Sequence, residues 1–271
     1  MNLINDWNEW FAGLVDGDGC FYINKKNEIS FEVTTASNDV RILYDIKNKL
    51  KAGSVKLRSG SKSVRYRVKA RLVIEDIVHR LNGKLRHPIR LKQFERACQI
   101  LTIPVKPTPS ILDPKTGYLA GLIDSDGTIS ISVFKTTQVN SQKSGTAGKI
   151  IRLMESRGFH QLSFKVTSIY KPLVLILQES YRFGQIYSEK ANRKNKNPNK
   201  KYSWTIRNSD EFSLLYDYLK HCPLKSVKMH RIRLAVIYFQ YKQLKYHLKE
   251  PETIEYKRWV KFCKSWFRYT S

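Results

Sequence analysis

Acid is what this chain has little of: 23 Asp and Glu stand against 49 Lys and Arg, a net charge of +26 over 271 residues. An imbalance of that size opposes compaction through self-repulsion. It points to a polyanion as the neutralising partner, and nucleic acid is the commonest one. Cysteine is scarce as well. The four present (Cys20, Cys98, Cys222, Cys263) show no CxxC spacing, which argues against a structural zinc site and against a disulfide framework. They read as reduced thiols in or near the core. The six histidines show no metal-ligand spacing. No apolar run reaches about 18 residues, so no transmembrane helix is expected. The opening MNLINDWNEW has neither a basic n-region nor an apolar h-region, so no secretory signal is expected.

What is present is a globular composition, 41% hydrophobic, in a length that suits two domains. A short block occurs twice. Residues 10–23 read WFAGLVDGDGCFYI and residues 118–131 read YLAGLIDSDGTISI, placing Asp18 and Asp126 108 residues apart. Repetition at that period implies two copies of a domain-sized unit. Residues 103–114, IPVKPTPSILDP, hold four of the nine prolines and read as a stiff linker. The expected division is therefore a first domain at 1–102, the linker at 103–114, and a second domain at 115–271.

Each motif block reads as a helix running into a strand. Asn5 or Asp6 is a candidate cap for the first helix, and Asp113-Pro114 for the second. A strand at 29–35, a helix to Leu50 stopped by Gly53, a hairpin of 55–58 with 64–72, and helices at 74–82 and 89–102 complete the first unit. The second unit echoes it. Phe31-Glu-Val-Thr34 returns as Phe164-Lys-Val-Thr167, Gly53 as Gly184, and Tyr66–Arg71 as Tyr202–Arg207. Asn208 with Glu211 is a capping-box pattern. Asp18 to Thr35 is 17 residues but Asp126 to Ser168 is 42, so an inserted loop of 25 residues falls within about 134–160. An additional C-terminal helix is expected from Pro251, with Trp259, Phe262, Trp266 and Phe267 on its apolar side.

The motif residues carry chemistry. Ala12-Gly13 and Ala120-Gly121 strip bulk from one helix face, which allows two helices to meet backbone to backbone. Such a pair brings two helix C-termini together, each with an acid where the helix dipole is already negative. Two adjacent acids repel further. A cation must compensate, and carboxylates with backbone carbonyls suit Mg²⁺. On a chain of charge +26, that arrangement suits phosphodiester hydrolysis. Asp16 and Asp124 are expected instead to secure the helix end by hydrogen bonds.

The two nonapeptides FAGLVDGDG and LAGLIDSDG make the chain resemble the LAGLIDADG homing endonucleases in their single-chain, two-motif form. The resemblance covers about residues 5–250. It implies an α+β fold of two pseudo-symmetric αββαββα domains, with saddle-shaped antiparallel sheets around a paired motif-helix interface. It implies that Asp18 and Asp126 hold divalent metal, with the carbonyls of Gly17 and Ser125 as secondary ligands. Mg²⁺ is the expected ion, and Mn²⁺ or Ca²⁺ can take its place. One phosphodiester in each DNA strand would be hydrolysed by metal-activated water, leaving short 3′ overhangs. The family places a basic residue beyond each third helix, and Lys92 and Lys228, 136 residues apart, are the candidates. Such a residue stabilises developing charge or orients the nucleophile.

In this family the strands lie along the major groove, where base edges are distinguishable. Alternate residues supply the expected DNA contacts: Tyr22, Asn24, Lys26, Glu28, Lys56, Arg58, Arg65, Arg67, Lys69 and Arg71 in the first half. In the second they are Ser130, Ser132, Lys135, Gln138, Tyr187, Glu189, Arg193, Lys201, Ser203 and Arg207. Thr35 and Ser168 belong to the expected DNA-binding set as well, at a polar position suited to ordering water. The basic run 190–201 is expected to contact phosphates. The expectation is a monomeric endonuclease acting on double-stranded DNA at a long, non-palindromic target, roughly two helical turns. The alternative is an RNA maturase acting on its own intron RNA, alone or as a second activity. The chain lacks the Cys or Ser start and His-Asn end of an intein, which favours an intron-encoded protein. Richness in Lys, Asn, Ile, Tyr and Phe fits an organellar gene, mitochondrial or chloroplast, with no membrane partner.

Overall fold

The structure is a computed structural model that describes residues 3–189 and 200–269, with side chains from residue 7 onward. Helix α1 (Leu3–Asp18) leads directly into strand β1 (Gly19–Ile23), followed by β2 (Ile29–Ala36), α2 (Val40–Leu50), β3 (Ser54–Leu57), β4 (Ser63–Val68), α3 (Arg71–Leu81) and α4 (Pro88–Leu101). The second series is α5 (Tyr118–Asp126), β5 (Gly127–Val133), α6 (Gln138–Gln142), α7 (Gly145–Met154), β6 (His160–Ser168), α8 (Lys171–Tyr181), β7 (Gln185–Glu189), β8 (Lys201–Ile206), α9 (Ser209–His221), α10 (Lys228–Gln243) and α11 (Ile254–Trp266). The sheets are four-stranded and antiparallel, ordered β1-β2-β4-β3 and β5-β6-β8-β7. The same topology therefore occurs twice. No helix among the described residues is long and apolar enough to cross a membrane.

By compactness the chain divides into one unit of Met1–Gly127, Lys165–Thr205 and Tyr218–Ser226, and a second of Thr128–Phe164, Ile206–Asp217 and Val227–Ser271. Both motif helices belong to the first unit. They are buried nearly all round, with Phe11, Leu14, Leu119 and Leu122 at zero exposure. Burying each such side chain stabilises by about 1.5–3 kcal/mol, which offsets the adverse placement of acids at the helix ends. The linker is irregular chain, pinned where Asn82 donates from Nδ2 to the Pro104 carbonyl and accepts from the Lys106 N–H. Cys98 and Cys263 are buried, and Cys20 and Cys222 half-buried, none of the four in a disulfide.

Several boundaries differ from expectation. Helix α1 is already running at Leu3, so neither Asn5 nor Asp6 starts it. Helix α5 begins at Tyr118 because Asp113 closes a turn instead, accepting from the Lys115 N–H. The 25-residue insertion between β5 and β6 is not an open loop, since most of it folds as α6 and α7. Asn140 on α6 holds the Glu155 carboxylate, and Thr137 caps α6. The last helix starts at Ile254 under a Thr253 cap rather than at Pro251, and it buries Trp259, Phe262 and Trp266. Asn208 does cap α9, accepting from the Glu211 N–H at 2.8 Å. Strand β4 ends at Val68, and α3 takes over at Arg71.

The glycines set the structural register of the repeat. Gly53 and Gly184 both have positive φ, and each lies under an aromatic ring, Tyr66 and Trp204 respectively. Tyr66 Oη donates to the Ala52 carbonyl and Trp204 Nε1 to the Phe183 carbonyl, at 2.9 and 2.7 Å. Tyr66 therefore corresponds to Trp204, not to Tyr202. Lys69 then matches Arg207, while Arg71 belongs to the first turn of α3 and ion-pairs with Glu75 at 3.0 Å. The expected equivalence of Arg71 and Arg207, and Arg71's place on a strand, are both corrected by this register.

Candidate active site

The site grows out of the packing of α1 on α5. A Cβ on Gly13 would lie 2.0 Å from the Tyr118 carbonyl oxygen, and one on Gly121 would lie 1.8 Å from that of Trp10. Only glycine permits that approach. Near the C-terminal ends a Cβ on Gly17 would sit 2.2 Å from Ser125 Oγ and 3.0 Å from Asp126 Oδ2. The Asp126 carboxylate thus lies beside the residue that precedes Asp18. Both acids are half-buried.

A cross-wired set of contacts holds this arrangement. Tyr118 Oη on α5 donates to Asp16 Oδ2 on α1 at 2.5 Å, and Trp10 Nε1 on α1 donates to Asp124 Oδ2 on α5 at 2.9 Å. Each of these aspartates also anchors the chain that enters a later helix. Asp16 accepts from the N–H groups of Arg86 and His87, just before α4. Asp124 accepts from those of Lys225 and Ser226, just before α10. The side chains return to the same rings, with the Arg86 guanidinium 4.7 Å from the Tyr118 centroid and Lys225 Nζ 3.8 Å from that of Trp10. Such cation–π contacts contribute about 0.5–2 kcal/mol each. Burial lifts the Asp16 carboxyl to about 6, against the lowering effect of the Tyr118 and backbone hydrogen bonds and of Arg86.

These anchors align Arg86 with Lys225 and His87 with Ser226, an offset of 139 residues. By that offset Lys228 corresponds to Ile89, and Lys92 to Arg231. The pairing of Lys92 with Lys228 is thereby corrected. Lys92 is exposed on α4, whereas Arg90 reaches the motif and donates from Nη2 to the Gly17 carbonyl at 2.9 Å. Arg231 donates to the Ile129 carbonyl at 3.1 Å, and burial lowers its pKa. Spacing of lysines alone misses Arg90. The signal lies in Leu85-Arg86 returning as Leu224-Lys225, both leucines buried.

Beside Arg71, already placed on α3, three of the expected residues depart from an open-face position. Tyr22, Lys56, Arg58, Arg65, Arg67 and Lys69 lie on the open face of the first sheet or at its ends. Asn24 closes its turn by accepting from the Lys26 and Glu28 N–H groups, and it donates to the Glu28 carboxylate. Ser130, Ser132, Tyr187, Glu189 and Lys201 show accessible surface on the second sheet, with Lys135 and Gln138 exposed beyond β5 and Arg207 beyond β8. Thr35 and Ser168 have core parity and are buried, so neither is placed for DNA. Ser203 is buried too, bonded to Thr167 at 3.0 Å. Arg193 and most of the basic run, 190–199, lie outside the described residues. Glu32 and Thr34 on β2, with Lys165 on β6, share the open faces and are absent from the expected set.

Comparison with known proteins agrees with this geometry. The chain is 35% identical over 263 residues to the probable intron-encoded endonuclease aI2 of Debaryomyces hansenii, and 34% identical over 262 residues to the intron-encoded RNA maturase bI4 of Saccharomyces cerevisiae. The matches cover 97% and 96% of this chain but only 38% and 36% of those proteins' lengths. Its fold resembles that of the I-LtrWI LAGLIDADG homing endonuclease, solved bound to target DNA, with a TM-score of 0.68 at 18% identity over 96% of this chain and 97% of that one. Residues 11–101 and 119–239 each match the family described as LAGLIDADG endonuclease. With both copies of the motif helix, both sheets and both aspartate anchors in place, the chain belongs to the LAGLIDADG endonuclease family.

Proposed function

We propose that the chain is a site-specific DNA endonuclease that hydrolyses one phosphodiester in each strand of a non-palindromic target. The observation that carries this reading is the meeting of Asp126 with Gly17 at the end of α1, one residue before Asp18, on a chain of net charge +26. Two carboxylates at negative helix ends, with the Gly17 and Ser125 carbonyls, form a hard-oxygen donor set that fits Mg²⁺, Mn²⁺ or Ca²⁺. Among the described residues no group of three or more His, Cys, Asp or Glu side chains competes as a metal site. A divalent ion held there supplies Lewis acidity toward a phosphate oxygen and a water of lowered pKa.

The chain's own residues do the rest. Asp18 and Asp126 hold the charge that receives the ion. Asp16 and Asp124 fix both helix ends, so the acids keep their geometry. Arg90 holds the Gly17 carbonyl and brings a positive charge toward developing phosphate charge in the first copy. By the aspartate anchors the residue matching Arg90 in the second copy is Met229, and Lys228 beside it in sequence is the proposed basic residue of that copy. The open sheet faces carry the bases and phosphates. Both motif copies lie in one chain, so it acts as a monomer, and the unlike sheets account for a non-palindromic target.

The test is cleavage with Mg²⁺ of sites selected from a randomised library. The wild type is expected to cut both strands, and Asp18→Asn or Asp126→Asn to abolish the double-strand break or leave a nick. If the wild type binds a selected site yet never cuts it, the reading fails. The 34% identity to an RNA maturase supports a second activity on the gene's own intron RNA. The Asp18→Asn/Asp126→Asn double variant would then still promote splicing. An organellar gene is the proposed origin.

A further inference from the structure

On the open face of the first sheet lies a carboxylate with no evident reason to face DNA. Glu32 stands in β2 opposite Cys20 of β1 and Arg67 of β4, while Thr34, two residues on, stands opposite Arg65. Its two oxygens take one arginine each, Oε1 to Arg67 Nε at 2.6 Å and Oε2 to Arg65 Nη1 at 3.1 Å. Its side chain is only 16% exposed, beside arginine side chains that remain 32% and 42% exposed. A negative charge placed among phosphates weakens binding to every sequence alike. Its presence is explained if it serves discrimination.

We propose that Glu32 is a specificity-determining residue, holding Arg65 and Arg67 as a fixed pair of guanidinium groups that read guanines in the major groove. The inference rests on the DNA-endonuclease reading and adds its base preference. A free arginine on a sheet is drawn to the nearest phosphate and carries no sequence information there. Arg67, ion-paired through Nε, keeps its two terminal amino groups for DNA, whereas Arg65, ion-paired through Nη1, keeps Nη2. Those groups match the O6 and N7 acceptors of guanine, the commonest specific contact. Arg65 and Arg67 are two residues apart on one strand, roughly 7 Å, or about two base-pair steps.

The second sheet is built otherwise. The residue matching Glu32 is Lys165, which pairs with Glu189 at 3.2 Å, and Thr167 and Ser203 bond hydroxyl to hydroxyl. Among the described residues no arginine stands on β5, β6, β7 or β8. The guanine preference therefore belongs to the half-site beneath the first sheet.

The experiment is target selection from a randomised duplex library without metal, followed by affinity measurements at several salt concentrations, with wild type, Glu32→Gln and Arg67→Lys. For Glu32→Gln we expect non-specific affinity to rise severalfold, with a salt slope steeper by about one phosphate contact. Discrimination for guanine at two positions about two base pairs apart in one half-site should fall roughly 10- to 100-fold, with the other half-site unchanged. Arg67→Lys should lose the preference at one of those positions. If Glu32→Gln keeps the wild-type base profile, or loses preference equally across both half-sites, the proposal is overturned. A wild type that selects no DNA site at all would instead overturn the endonuclease reading.

Discussion

Replacing Gly121 with alanine tests the heart of the structure. The new Cβ would lie 1.8 Å from the Trp10 carbonyl oxygen and 2.8 Å from the Leu14 nitrogen, both backbone atoms. The closest tolerated carbon–oxygen contact is about 3.3 Å, so the helices must separate by roughly 1.5 Å. No rotamer change relieves a clash with backbone. A retreat of that size stretches the 2.9 Å bond from Trp10 to Asp124 beyond hydrogen-bonding range, and the Tyr118 to Asp16 bond with it. Overpacking costs about 1–3 kcal/mol, and each buried acceptor left short of a donor costs about 1–3 kcal/mol more. The total, on the order of 3–9 kcal/mol, is a large share of the about 5–15 kcal/mol that holds a domain folded. At about 2–4 °C per kcal/mol, the melting temperature should fall by at least about 6 °C, and by up to roughly 35 °C, in a calorimetric scan. The same shift moves Asp126 away from Gly17, and a misplacement near 1 Å can cost about a hundredfold in rate. Gly13→Ala, whose Cβ would lie 2.0 Å from the Tyr118 oxygen, should behave alike. A Gly121→Ala protein that melts within a degree or two of wild type and cuts at full rate would refute the close-packed helix pair.

Asp16→Asn keeps the shape of the side chain but turns one acceptor into a donor facing N–H and O–H groups, so it should lose about 1–3 kcal/mol of stability by denaturant titration. Because burial raises Asp16 to about 6, its protonated form is favoured in the fold. Its contribution is full below the ordinary carboxylate value and is lost as pH rises through 6. The stability gap between wild type and Asp16→Asn should therefore narrow between about pH 4 and 7, and a widening gap would contradict the cause assigned. Arg90→Met removes the guanidinium from the Gly17 carbonyl, and its counterpart by the aspartate anchors is already Met229. It should slow the cutting of one strand more than the other and accumulate nicked circles. Equal slowing of both strands would sink the assignment.

The motif helices, the paired acids and the facing of most strand residues were legible because they depend on local rules. Small residues at helical spacing, alternation of period two and a carboxylate at a helix end all show in the chain itself. What failed depended on contacts across the fold. Arg71 follows the basic alternation of β4 smoothly, but the chain turns into α3 at that point, and its charge goes to Glu75. Thr35 continues the polar run Thr34-Thr35, yet strand parity sends it inward with Phe31 and Val33. Lys92 and Lys228 share a spacing only by coincidence, since the aspartate anchors set an offset of 139 rather than 136. The inserted stretch is polar and glycine-bearing, which hides two helices whose ends are secured by Thr137, Asn140 and Glu155.

The exchange of partners between the motif helices has a consequence for inheritance. Trp10 completes Asp124, Tyr118 completes Asp16, and the cations on those rings come from the same loops that the aspartates tie down. A half borrowed from a relative would bring an aspartate lacking its donor, or a ring lacking its cation, unless it matched the resident half at these positions. Substitutions at 10, 124 and 225 should therefore travel together through descent, as should those at 118, 16 and 86. A chimaera made by joining two halves at the linker should succeed or fail on these six side chains before any question of target sequence arises.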